Sequence, residues 1–171
     1  MKLTSVELLN REHRLEEFDC GSQAQNDWLR RHALQSQFGG MSRVYVVRDV
    51  DADEVVGYYA LVAGQIRPDE VPARLLKGAG LHAQPVVLLA RLGVDLRVQG
   101  IGLGRALVTD AMRRVTSVAD QIGVRALLVH CEDDSARDFY LRLAEFDVSP
   151  VDPLHLVLPI KNIRRFGAPK S

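Results

Sequence analysis

Apolar residues recur along this chain at two spacings, one of which predicts helices and the other strands. Ala24, Trp28, Leu29, Ala33 and Leu34 repeat at intervals of four and five, an apolar stripe along one helix, and Ser22 with Gln25 forms a capping box that starts it. Arg30 and Arg31 lie between those anchors, mostly off the stripe. Ser42 to Val50 is rich in β-branched residues and predicts a strand, Asp51 to Glu54 a turn, and Val55 to Gly64, with Tyr58 and Tyr59, its hairpin partner. Pro68, Pro72, Gly78, Gly80 and Pro85 then break the pattern, leaving room for one short helix near Asp69 to Lys77. Val86 to Asp95 is a nearly continuous apolar run, as expected of a strand buried on both faces. Leu103, Leu107, Ala111, Val115, Val118 and Ile122 share one face of a longer helix that Gly123 stops. Arg125 to Cys131 predicts a strand, Asp134 to Leu143 a short helix, and His155 to Leu158 a last strand. This order predicts an α/β fold, helices on a central mixed sheet, in a single domain over residues 1–171.

Composition narrows the class. The 171 residues suit one folding unit, and 47% hydrophobic with 26% charged residues excludes wholesale disorder. The balance of 22 basic and 22 acidic groups excludes a protein that wraps nucleic acid over most of its surface, so any nucleic-acid partner must meet a local patch. The charge is unevenly spread: residues 154–171 carry four basic groups and no acid, whereas 132–153 carry two and seven. Met1 to Arg14 lacks the apolar run of a secretory signal, and no stretch approaches the roughly 20 apolar residues of a membrane span. Cys20 and Cys131 have no CxxC spacing, which predicts reduced thiols in a cytoplasmic protein without a membrane partner. No metal is expected, because His130 and Cys131 are strand neighbours on opposite faces and His13, His32, His82 and His155 show no i, i+4 pairing.

The chemistry is expected between the buried strand and the long helix, at Gln99-Gly100-Ile101-Gly102-Leu103-Gly104-Arg105. Glycines at alternate positions let the backbone turn tightly and approach a ligand, while the helix start offers unpaired N–H groups and a positive dipole end. A phosphate or pyrophosphate suits such a turn. Arg105-Ala106 stands where a P-loop needs Lys followed by Ser or Thr, and four residues separate the strand from the glycines, which argues against a dinucleotide fold. A purely structural strand-to-helix turn fits the glycines alone equally well.

Taken together, Gln99-x-x-Gly102-x-Gly104 and the downstream Ala136-Arg-Asp-Phe-Tyr140 resemble the acyl-CoA signature of the GCN5-related N-acetyltransferases, the GNAT family. Phe18-x-Cys-Gly21, Trp28-Leu29, Val56-Gly-Tyr-Tyr59, Leu89-Ala-Arg-Leu92, Gly123 to His130 and Pro153-Leu-His-Leu156 resemble its branch of bacterial toxins, which acetylate the α-amine of aminoacyl-tRNA and block translation. The resemblance implies a GNAT-like acyl-CoA N-acyltransferase fold with acetyl-CoA as co-substrate. It also implies a ribbon-helix-helix antitoxin as partner, operator DNA met only through the antitoxin complex, and a homodimer. It assigns the backbone of Leu92 and Val94 to the pantetheine and thioester, backbone N–H groups from Gln99, Gly100, Ile101, Gly102, Leu103, Gly104 and Arg105 to the pyrophosphate, and Tyr140 to protonating the departing thiolate. A phenol of pKa about 10 can hydrogen-bond and protonate a thiolate of pKa about 8.5.

Val86 to Val94 contains no Asp, Glu or His to act as a base. An α-amine near pKa 8 needs a base less than a lysine amine near 10.4, which favours aminoacyl-tRNA over a protein lysine, although a carboxylate such as Glu132 could approach from another element. Arg30, Arg31, Arg43 and Arg48, and the tail Lys161, Arg164, Arg165 and Lys170, are the candidates for tRNA phosphates. The alternatives are an acetyltransferase for a protein N-terminus or small amine, and a non-catalytic acyl-CoA-binding module. Three features depart from the branch: Gly93 replaces a common Ala, Asp133 an Asn that contacts CoA in many relatives, and Ala144-Glu145-Phe146, with one extra residue, the usual Gly-Phe after Tyr140.

Overall fold

The computed structural model describes residues 1–77 and 82–166. Its elements are β1 (Glu7–Leu8), α1 (Gln23–Arg31), α2 (Ala33–Phe38), β2 (Arg43–Asp49), β3 (Glu54–Ile66), α3 (Ala73–Leu76), β4 (Gln84–Val94), α4 (Leu103–Ala119), β5 (Ala126–His130), α5 (Asp134–Leu143), β6 (Asp147–Val148), β7 (His155–Pro159) and α6 (Ile160–Phe166). The seven strands follow the order β1-β2-β3-β4-β5-β7-β6, with β4 and β5 parallel and the β1-β2, β2-β3, β5-β7 and β7-β6 pairs antiparallel. This mixed sheet with helices is the α/β arrangement that the pattern predicts. The chain divides into two compact units, one of Met1–Val62 with Ala90–Ala111, the other of Ala63–Leu89 with the chain from Met112 on.

In the first unit, Leu9, Phe18, Leu29, Ala33, Val44, Val46, Val55 and Tyr58 form the core. Helix α1 starts where the capping box predicts, the Ser22 side chain accepting the Gln25 N–H. Its buried stripe differs from the expected one. Leu29 and Ala33 are buried as expected and Trp28 and Leu34 pack against the core, but Ala24 is exposed and Asn26 and Gln37 are buried besides, across a break at His32 that separates α1 from α2. The two polar members are tolerated because each side-chain amide is bonded at both ends. Asn26 accepts from the Cys20 N–H at 2.8 Å and donates to Asp19 at 2.9 Å; Gln37 donates to the Leu9 carbonyl at 2.7 Å and accepts from the Val44 N–H at 2.8 Å.

In the second unit, Ile66, Val71, Leu75, Val86, Ala126, Leu128 and Val157 make the core. The parallel ladder runs from Val86 opposite Ala126 to Leu89 opposite Val129. Strand β4 is not buried throughout, as its apolar run predicts: Ala90, Arg91, Leu92 and Val94 are only half-buried. Helix α4 ends at Ala119, so Ile122 falls beyond the apolar face it was expected to join and is 63% exposed. The short helix expected near Asp69 to Lys77 is a 3-10 turn at Pro68–Glu70 followed by α3, while Gly78 and Gly80 lie outside the described residues. The pattern leaves β1, β6 and α6 unpredicted, the first two because two-residue strands are too short to show alternation. No helix among the described residues is long and apolar enough to cross a membrane.

Candidate active site

The first unit places the glycine segment at the end of β4. Asp95 caps a 3-10 turn at Leu96–Val98, Gln99 is extended, and α4 begins at Leu103. Gly100 and Gly102 have φ of +83° and +89°, a left-handed backbone that side chains with a Cβ rarely adopt. Nothing lies within 4 Å of where a Cβ would stand at either glycine, so the turn presents an open face. Ile101 and Arg105 are exposed, Leu103 turns inward with 8% exposure, and Gly104 is intermediate. The first turn of α4 carries no acidic residue to offset its positive dipole end, and its leading N–H groups have no partner within the helix. Leu92 and Val94 flank a buried Gly93 on β4. A Cβ at Gly93 would stand 2.9 Å from Tyr58 Cε1, which is the physical reason that the small change to Ala has no room here.

The Gln99 side chain serves the turn itself: its Nε2 donates to the Val94 carbonyl at 3.0 Å and weakly to that of Cys20 at 3.4 Å. Sequence reasoning missed Asp95, which is 2% exposed and accepts from the backbone N–H groups of Asp19 and Arg97 and from the Arg97 guanidinium. Burial acts to raise its pKa, but those bonds outweigh it and hold the carboxyl below the usual range. Arg97 is shifted upward, chiefly by its bond to Asp95 and then by Glu54 at 2.7 Å.

Tyr140 lies in the second unit, on α5, with 4% exposure. Its ring meets Phe139 and Phe146 edge-on, at centroid distances of 5.1 and 5.7 Å. Burial pushes the phenol well above its ordinary pKa, with the nearby Cys131 adding to the shift, and burial likewise pushes the Cys131 thiol up to about 11. Asp133 caps α5, its carboxylate accepting the Ala136 N–H at 2.8 Å.

The candidate tRNA arginines are differently engaged. Arg30 donates to the Phe18 carbonyl, and Arg43 to the Gln37 and Ser42 carbonyls. Arg48 pairs with Glu7 and Asp53, Arg164 with Asp120 and Arg165 with Glu145. Arg31, in the last turn of α1, is exposed. Lys161 belongs to α6, and Lys170 lies outside the described residues. Among the described residues, no group of three or more His, Cys, Asp or Glu could hold a metal ion.

The model of the acetyltransferase (GNAT) family matches residues 5–146. The chain belongs to the GNAT acetyltransferase family. Among its GNAT relatives is a tRNA-acetylating toxin of Mycobacterium tuberculosis, 43% identical over 148 residues, 86% of each chain. The solved GNAT structure of AtaT complexed with acetyl-methionyl-tRNAfMet has a TM-score of 0.88 at 28% identity, covering 98% of this chain and 100% of that one. An AtaT tyrosine-to-phenylalanine mutant bound to acetyl-CoA and the C-terminus of the antitoxin AtaR has a TM-score of 0.80 at 29% identity, covering 98% and 99%. The AtaT-AtaR complex bound to DNA has a TM-score of 0.77 at 27% identity, covering 96% and 100%.

Proposed function

We propose that this chain is a toxin acetyltransferase, acting as one GNAT domain, that transfers acetyl from acetyl-CoA to the α-amino group of an aminoacyl-tRNA and so blocks translation in the cytoplasm. The observation that carries the reading is the 43% identity, over 86% of both chains, to a tRNA-acetylating toxin. The glycine turn supports the co-substrate: left-handed Gly100 and Gly102, an open face and an un-neutralised helix start suit the pyrophosphate of acetyl-CoA. Backbone N–H groups from Gln99 to Arg105 hold the pyrophosphate in this reading. The backbone of Leu92 and Val94 meets the pantetheine amides and the thioester carbonyl.

The free amine attacks the thioester carbon, a C–N bond forms, and the C–S bond breaks with its electron pair on sulfur. Tyr140 donates its proton to that thiolate, and the proton that the attacking nitrogen sheds as the amide forms passes to solvent, from which the phenol is restored. Burial keeps the Tyr140 phenol protonated, the state a donor needs, and also makes it a weaker acid than a free phenol, so its hydrogen bond to the developing thiolate carries the role as much as the transfer itself. β4 carries no Asp, Glu or His, so the amine enters already neutral, and the α-amine of an aminoacyl ester meets that condition.

The AtaT complexes with antitoxin, and with antitoxin and DNA, support an antitoxin that neutralises this chain and carries it to DNA, and the family resemblance makes that partner a ribbon-helix-helix protein and that DNA its operator. Arg31, Arg43 and Arg30, to which no carboxylate among the described residues is bonded, suit tRNA phosphates better than Arg48, Arg164 and Arg165. The reading includes a homodimer. The test is to incubate the protein with acetyl-CoA and a mixed pool of charged tRNAs and to assay the aminoacyl ends. N-acetylated ends are expected; acetylation of small amines or peptide N-termini but of no charged tRNA would overturn the reading.

A further inference from the structure

A turn that binds an anion through backbone N–H groups must hold those groups convergent before the anion arrives, or binding bears the entropy of ordering them. Gly100 and Gly102 cannot do this themselves, since both stand in open space with the most permissive backbone available. What fixes the segment lies just before them. Asp95 N–H donates to the Val56 carbonyl at 2.8 Å, and Leu96 N–H to the Asp19 carbonyl at 2.9 Å. In return Asp19 N–H donates to Asp95 Oδ2 at 3.1 Å. The second carboxylate oxygen, Oδ1, accepts from the Arg97 N–H and Nε, both at 2.9 Å, and Arg97 reaches on to Glu54 Oε2 at 2.7 Å. Asp19 is itself anchored by the Gly21 N–H and by Asn26 Nδ2, each at 2.9 Å.

Asp95 thus joins three parts of the first unit: its carboxylate holds the loop at residues 18–21 and the Arg97 that reaches Glu54 of β3, while its backbone N–H ties the exit from β4 to Val56 of β3. Burying a charge carries a desolvation cost, and apolar residues of similar volume often stabilise a fold as well as a buried ion pair does. A carboxylate here serves geometry. It accepts several donors in fixed directions at the junction of strand and glycine turn, which an apolar side chain cannot do.

We infer that Asp95, with Arg97, is a positioning residue that fixes the Gln99–Arg105 turn for the pyrophosphate of acetyl-CoA. The inference rests on the acetyl-CoA reading given above. The loop bearing Phe18-x-Cys-Gly21 becomes part of the co-substrate site through its bonds to Asp95 and Leu96.

The test compares two acetyl donors, acetyl-CoA and S-acetylpantetheine, which shares the thioester and pantetheine but has no pyrophosphate. Kd and kcat/KM for each donor are measured for the wild type, Asp95→Asn and Arg97→Gln. Both variants are expected to lose about tenfold in affinity for acetyl-CoA, the size of one or two weakened charge-assisted hydrogen bonds, and to stay within about twofold for S-acetylpantetheine. Parallel losses for both donors would show a merely structural role and overturn the inference, as would no loss for either. Should Asp95→Asn not fold, Arg97→Gln decides alone, since that side chain is 41% exposed. A wild type that binds the two donors equally well would instead remove the pyrophosphate reading, and the inference with it.

Discussion

His130 and His155 stack across β5 and β7, their rings 3.8 Å apart between centroids and 17° from parallel. His155 also pairs with Glu70 and Asp152, both at 3.3 Å. Partial desolvation of this otherwise exposed ring, and then repulsion from His155, lowers the His130 pKa, although Glu70 and Asp152 pull the other way and solvent keeps the effect small. The unfolded chain, with histidine near pKa 6.5, therefore takes up this proton before the folded one does. Stability is expected to be full above that pH and to fall as the pH drops below it, until folded His130 is itself protonated. Denaturant unfolding between pH 8 and pH 5 measures the slope, and His130→Gln should flatten it.

Tyr140→Phe removes the proposed donor oxygen and leaves the ring between Phe139 and Phe146. Turnover should fall about a hundredfold or more, within the range of lost general-acid catalysis, with acetyl-CoA affinity nearly unchanged. An equal loss of both would count against the role. Because the phenol is shifted upward, the wild-type rate should show no loss from Tyr140 ionisation on approach to pH 10, which a pH–rate profile checks.

Alanine at three glycines should separate backbone strain from crowding. At Gly102, with φ +89° and open space around it, the cost is conformational, about 1–2 kcal/mol, and acetyl-CoA binding should suffer with it. Gly100→Ala should behave alike, since its φ is +83°. At Gly93 the new methyl meets Tyr58, Phe18 and Cys20 within 3.3 Å, and overpacking should cost about 1–3 kcal/mol. Thermal melts with and without acetyl-CoA distinguish the cases, because only the first two should lose ligand-induced stabilisation disproportionately.

Asn26→Leu is a further test of packing against bonding. It leaves the Cys20 N–H and one Asp19 carboxylate oxygen without their amide partner, and it should destabilise the chain by about 1–3 kcal/mol despite the added apolar volume. Equilibrium unfolding in urea measures it.

These same residues mark the limit of what the sequence reveals. Helix α5 runs from Asp134 to Leu143 as predicted, and the glycine turn sits between strand and helix as predicted, because periodicity and glycine placement are local signals. Asp95 was unreadable as part of the site, since its partner Asp19 lies 76 residues away and only folding brings them together. The His130–His155 pair escaped for the same reason: the β5–β7 register, not any i, i+4 spacing, sets it. Asn26 and Gln37 drew no notice in the sequence because hydrophobic patterning gives no weight to a polar side chain that is buried by being fully bonded.

The Gln37 amide has a consequence for how the chain ages. Leu9 N–H donates to the Val44 carbonyl as a sheet neighbour would, but the return bond from Val44 to Leu9 runs through the Gln37 side chain, which stands in for a missing peptide rung. Hydrolysis of that one amide to a carboxylate would set an oxygen against the Leu9 carbonyl at 2.7 Å where a donor now stands. Helix α2 and the first strand would then lose their common fastening through a single chemical change, without any bond in the main chain being cut.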